Sequence, residues 1–98
     1  MVRVGIIGCG KVADKHANQI LRIRGTEIVG LCDLEKLMAM QMAERFRISQ
    51  YFDDVSAFLE TCHPDVIHIT TPPQSHYALA KQCLEAGSHI YVEKPFTI

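Results

Sequence analysis

The 98-residue chain has no basic stripe, no C-x-x-C pair and no apolar run longer than a strand. Each absence removes a class of function. Ten Lys and Arg stand against eleven Asp and Glu, for a net charge of −1 with both signs interspersed. That balance supplies neither the cationic face that nucleic acid requires nor the basic amphipathic helix of a membrane-surface protein. A bilayer span needs roughly 20 apolar residues, far more than any run here. The N-terminus enters a strand pattern directly, without the apolar core and cleavage site of a secretory signal, so a cytoplasmic location is expected. Cys9, Cys32, Cys62 and Cys83 carry no zinc-type spacing among themselves or with His, so no metal site is expected and they read as small buried hydrophobes. Linkers, repeats and low-complexity segments are also lacking. The length fits one domain at the small end of the usual range.

What is present begins at the N-terminus. The apolar run Val2 to Ile7 leads into Gly8-Cys9-Gly10-Lys11-Val12-Ala13, and a helical pattern follows. This is the strand–turn–helix context of a dinucleotide-binding fingerprint. Gly8 permits the tight turn, Gly10 lets a pyrophosphate approach the backbone, and Ala13 lets the helix pack closely on the strand. The N–H groups at the helix start, near Lys11 and Val12, face the phosphates with a favourable dipole. Cys9 lies inside the turn, where a helix N-terminus can lower a thiol pKa; buried filler remains the favoured reading. A second strand, Glu27 to Cys32, ends in Asp33, roughly 20 residues past the glycines, where the fingerprint places its ribose-binding acid. A carboxylate there accepts both ribose hydroxyls and repels a 2′-phosphate, and no Arg is adjacent, so NAD is favoured over NADP. Asp33 is equally suited to capping the next helix.

Strand and helix patterns alternate along the whole chain, which argues for a doubly wound parallel α/β sheet. Helix one is expected over Val12 to Arg22, and helix two over Leu34 to Phe46, with Leu37, Met38, Met42, Ala43 and Phe46 as its apolar stripe. A short strand follows at Gln50 to Phe52. Asp53 is expected to cap a third helix carrying Val55, Phe58 and Leu59, which Pro64 ends. Strand four is Asp65 to Thr70. Pro72-Pro73 opens helix four, with Tyr77, Ala80 and Leu84 at helical spacing and Gly87 as its stop. Strand five is His89 to Val92. Right-handed crossovers then give strand order 3-2-1-4-5 with the switch point between strands one and four. Gly8 to Gly10, Asp33, Thr70 to Pro72 and Glu93-Lys94-Pro95 all fall at carboxyl ends of strands, so one edge gathers one site. His16, His63, His68 and His89 show no partner in the sequence and read as helix-face or strand side chains.

The last third adds Thr71-Pro72-Pro73-Gln74-Ser75-His76, Ala80, Glu85-Ala86-Gly87 and Tyr91-Val92-Glu93-Lys94-Pro95. Together with Gly8-Cys9-Gly10, His16 and Cys32-Asp33, these resemble the Gfo/Idh/MocA family of NAD(P)-dependent oxidoreductases over essentially the whole chain. The resemblance implies a Rossmann-type nucleotide-binding domain over residues 1–98. It places Thr71 and Pro72 along the cofactor's path, His76 near the same edge, Glu93 by the nicotinamide ribose, and Lys94 as the catalytic residue beside the nicotinamide and the reacting hydroxyl. A partly desolvated Lys94 near a cationic nicotinamide would have a lowered pKa and could help move that hydroxyl's proton. Taken alone, Lys94 reads as a solvated charge at a strand end.

The family's pattern continues beyond what these residues contain. A sixth strand and a larger substrate domain, with further catalytic residues and an oligomer interface, are missing here. The expectation is therefore the cofactor-binding part of a homo-oligomeric dehydrogenase acting on a sugar, cyclitol or related polyol. The alternatives are a non-catalytic NAD-binding module or sensor and, more weakly, an S-adenosylmethionine site at the same turn.

Overall fold

Runs of Val and Ile bounded by glycine turns form strands because β-branched side chains suit a pleated, buried surface. The computed structural model describes residues 1–92, apart from the side chain of Pro73. Its elements are β1 (Val2–Ile7), α1 (Lys11–Leu21), β2 (Thr26–Cys32), α2 (Lys36–Phe46), β3 (Tyr51–Phe52), α3 (Val55–Cys62), β4 (Val66–Ile69), a 3-10 turn (Pro73–Ser75), α4 (His76–Glu85) and β5 (His89–Val92). The five described strands form one parallel sheet in the order β3-β2-β1-β4-β5, as the sequence predicts.

Each face of the sheet carries its own core, set by the two-residue alternation of strand side chains. Val4, Ile6 and Leu31 meet Ala13, Ala17 and Ile20 of α1 and Ala39, Met42 and Ala43 of α2. Alanines at four of these helix positions let the helices approach closely. On the other face Ile7, Cys32, Ile67 and Ile69 meet Phe58, Leu59 and Cys62 of α3 and Cys83 of α4. Phe58 is fully buried, and the sheet makes room for it. A register shift after Val4 brings Gly5 opposite Gly30, and a Cβ at either position would overlap the Phe58 ring or the Cys62 sulfur. Two facing glycines thus form the seat of one aromatic ring. Burying such a ring contributes roughly 2–3 kcal/mol.

Several local expectations are corrected. Asp54, not Asp53, caps α3: its carboxylate accepts from the Ala57 amide at 2.9 Å. The helix stops at Cys62, and His63 takes a left-handed φ of 45° before Pro64, which disfavours the α region in the residue preceding it. α2 begins at Lys36, because Asp33 captures the Glu35 amide at 2.8 Å and holds the chain out of the helix there. Pro72-Pro73 leads into a 3-10 turn before α4 rather than into α4 itself. The apolar stripe of α4 also differs. Tyr77 and Leu84 are exposed, while Leu79, Ala80 and Cys83 face the sheet. On α2, Leu37 and Met38 likewise lie outside the core that Met42 and Ala43 enter.

All four cysteines are buried and unpaired, as the sequence predicts. Burial pushes the Cys83 thiol up to about 11 and the Cys32 thiol up to about 12. No helix among the described residues is long and apolar enough to cross a membrane.

Candidate functional site

Three connections meet at the carboxyl edge of the sheet: residues 8–10 after β1, 33–35 after β2 and 70–75 after β4. They surround a cleft of about 580 Å³, within the usual few hundred to ~1,000 Å³ of small-molecule sites. Gly8, Gly10, Asp33, Thr71 and Pro72 all line it, so the structure brings together five residues that the sequence singled out across 65 positions.

Backbone hydrogen bonds lock the three connections to one another. The Gly8 amide donates to the Cys32 carbonyl at 2.8 Å, and the Thr70 amide to the Ile7 carbonyl at 2.9 Å. The Thr70 hydroxyl donates to the Gly8 carbonyl at 2.8 Å. The Cys9 amide donates to Asp33 Oδ2 at 2.8 Å. The cleft is therefore shaped by the protein before any ligand arrives.

The two glycines of the turn serve different ends. Gly8 has φ of 96°, and a Cβ there would lie 2.8 Å from the Thr70 hydroxyl oxygen, so the protein itself requires glycine. Gly10 has φ of −90° and ψ of −162°, which any residue adopts, and a Cβ there would meet nothing within 4 Å. Neither its backbone nor its packing asks for glycine. The open space before α1 is where a pyrophosphate would sit. α1 starts there, its first amides have no intrahelical acceptor by geometry, and Gly10 offers no side-chain cap. The donor set and the open cradle fit a dinucleotide's phosphates. Lys11 and Val12 are not among the residues that line the cleft.

Asp33 faces the cleft with one carboxylate oxygen bonded to the Cys9 amide and the other to the Glu35 amide. Leu34 beside it is 86% exposed, and Met38 and Leu79 extend the apolar lining. These apolar residues are a feature the sequence reading missed. An exposed leucine next to the predicted ribose acid was the available signal. Met38, expected as core filler, is a cleft residue.

His76 does not line the cleft. Its Nε2 donates to the Thr71 carbonyl at 2.6 Å, closing the 71–76 turn on itself. The Thr71 hydroxyl is buried and has no hydrogen-bond partner among the described residues. Cys9 is 1% exposed. Burial, and after it the Asp33 charge, push its thiol up to about 12. Glu93, Lys94 and Pro95 lie outside the described residues.

The histidines give a second unforeseen juxtaposition. His16 Nδ1 and His68 Nδ1 are 2.9 Å apart, with Tyr91 ring-to-ring against both. One Nδ1 must donate and the other accept, so the contact is incompatible with two imidazolium rings. Burial, and secondarily His16, lower the pKa of His68.

Comparison with known proteins gives a consistent picture. Residues 2–98 match the model of an oxidoreductase family with an NAD-binding Rossmann fold. The chain is 39% identical to D-glucoside 3-dehydrogenase of Escherichia coli over 95 residues, covering 96% of the chain and 27% of that protein. It is 33% identical to UDP-N-acetylglucosamine 3-dehydrogenase of Acidithiobacillus ferrooxidans, covering 99% of the chain and 29% of that protein. Among solved structures, the WlbA dehydrogenase from Bordetella pertussis, in complex with NADH and UDP-GlcNAcA, superposes with a TM-score of 0.89 at 26% identity. That match covers 96% of this chain and 29% of the other. The chain thus spans under a third of the length of the relatives it matches. A parallel sheet of this order, a glycine turn between β1 and α1, and a family match over residues 2–98 place the chain in the Gfo/Idh/MocA oxidoreductases, within their NAD-binding Rossmann domain.

Proposed function

We propose that the chain is the cofactor-binding part of a dehydrogenase that uses NAD in preference to NADP and acts on a sugar, cyclitol or related polyol. The observation that carries this reading is the open cradle at Gly10, facing the start of α1 and flanked by the Asp33 carboxylate. When bound, the nicotinamide cofactor supplies the hydride chemistry. Gly8 and Gly10 shape the phosphate seat, and the first amides of α1 hold the pyrophosphate charge. Asp33 accepts from the adenosine ribose, and its charge disfavours a 2′-phosphate. Thr71 and Pro72 flank the cofactor's path, with His76 bracing their turn through the Thr71 carbonyl.

Lys94 is assigned, on the family resemblance, the positioning or transfer of the substrate hydroxyl's proton, and Glu93 the ribose next to the nicotinamide. The saccharide class rests on the names of the relatives, a glucoside and a UDP-sugar dehydrogenase. Residues that read the substrate are proposed to belong to sequence outside this chain, as is the interface of a homo-oligomer. A cytoplasmic setting fits the four unpaired thiols.

The test is a fluorescence titration of the protein with NADH and with NADPH. Wild type should bind NADH more tightly. Asp33→Ala should lose more affinity for NADH than for NADPH, because it removes a ribose contact and a repulsion together. Equal losses would take Asp33 out of the site. In the polypeptide that carries this chain, Lys94→Ala should lower sugar oxidation by about a hundredfold or more. Unchanged turnover would refute the catalytic assignment.

A further inference from the structure

We infer that Asp33 is also the brace that shapes the phosphate-binding turn, so that cofactor preference and turn order reside in one carboxylate. The geometry is direct. Oδ2 accepts from the Cys9 amide at 2.8 Å, and Cys9 is the middle residue of the Gly8–Gly10 turn. Oδ1 accepts from the Glu35 amide at 2.8 Å, which fixes the carboxylate from the opposite side. Neither bond involves a ligand. A carboxylate offers about four lone-pair sites. The two backbone amides occupy two of them and leave two, the number that a vicinal ribose diol requires.

The brace matters because little else holds the Cys9 amide. The Cys9 side chain is anchored in the core and its thiol donates to the Cys32 carbonyl at 3.6 Å, but that bond leaves the amide itself to Asp33. Gly10 has no side chain to pack, and a Cβ there would touch nothing. The turn is anchored by Gly8 on one side and by α1 on the other. Between them, the described hydrogen bond from the Cys9 backbone runs to Asp33. Removing the carboxylate leaves the Cys9 amide, at the middle of the proposed phosphate seat, without its described acceptor.

The cofactor consequence rests on the proposed NAD-binding reading. Loss of negative charge at position 33 is expected to admit a 2′-phosphate. Loss of the acceptor is expected to loosen the phosphate seat for either cofactor. Asparagine removes the charge and keeps a single acceptor oxygen, enough for the Cys9 amide or the Glu35 amide but not for both, because its Nδ2 is a donor. Asp33→Ala removes charge and acceptor alike.

Amide hydrogen exchange in the ligand-free protein tests the brace without a cofactor. In Asp33→Ala the Cys9 amide should exchange roughly tenfold faster or more, the loss expected for one charge-assisted hydrogen bond. The amide of Ile6, inside β1, should be unaffected. In Asp33→Asn one of the Cys9 and Glu35 amides should stay within about threefold of wild type, since one good acceptor remains. NADPH should bind Asp33→Asn more tightly than Asp33→Ala. Equal Cys9 exchange in wild type and Asp33→Ala would overturn the inference. So would parallel acceleration at Cys9 and Ile6, or Cys9 and Glu35 amides that are both as fast in Asp33→Asn as in Asp33→Ala. A wild type that binds neither cofactor would refute the proposed function instead, leaving the exchange result to stand by itself.

Discussion

The two glycines of the turn should respond to alanine in opposite ways. At Gly8 the positive φ of 96° carries a penalty for any L-residue, about 1–2 kcal/mol. The new Cβ would also lie 2.8 Å from the Thr70 hydroxyl oxygen and 3.1 Å from the Thr70 carbonyl carbon. The second contact is with backbone, which cannot rotate away, and such overpacking costs roughly 1–3 kcal/mol. Gly8→Ala should therefore lose about 2–5 kcal/mol, a fall of roughly 10 °C or more in Tm for a domain of this size. At Gly10 neither penalty applies. Alanine is a poorer helix cap than glycine, but it also restricts the unfolded chain, and these effects nearly cancel to within about 0.5 kcal/mol. Its methyl group would enter the open space before α1, where the proposed function seats the pyrophosphate. Gly10→Ala should keep its Tm and lose at least about tenfold in NADH affinity, roughly 1.4 kcal/mol. Calorimetry and an NADH titration on the two variants decide the matter. A Gly10→Ala protein that binds NADH as wild type does, or that melts as low as Gly8→Ala, would refute the division of roles.

Gly5→Ala and Gly30→Ala should each destabilise the fold by about 1–3 kcal/mol through collision with Phe58 or Cys62. Pairing Gly5→Ala with Phe58→Leu should cost less than the sum of the two singles; strict additivity in urea melts would disprove the shared seat. For pH, the free histidine value is 6.5 and folded His68 is held below it by burial and by His16. The unfolded chain then takes up a proton that folded His68 refuses, so this contribution to stability is complete above the unfolded value. It is lost as pH falls through the folded one. His68→Gln should gain stability relative to wild type as pH falls below the free histidine value of 6.5, and identical pH slopes in the two proteins would count against the pairing.

The sequence by itself determined the order of elements, the parallel sheet and the edge at which the site forms. These follow from contiguous residues: apolar runs of strand length, helical spacing and glycines at turns. That Gly8, Gly10 and Asp33 would meet at one cleft was legible for the same reason, because each stands in a connection that follows a strand. The buried state of the four cysteines was legible from their apolar neighbours.

Other features depended on tertiary structure. On α4, hydrophobicity ranks Tyr77 and Leu84 above Ala80 and Cys83, yet the smaller residues face the sheet because they let the helix lie close to it. The meeting of His16 with His68 joins positions 52 residues apart and arises only when α1 crosses the β4 side of the sheet. Gly5 and Gly30 gain their purpose from a register shift that no local pattern announces. Asp33 was readable as a candidate site residue at the end of β2, but its bond to Cys9 became visible only once β1 and β2 lay side by side. Local residue order fixes what each segment is, whereas register and distance of approach decide which side chains and amides meet.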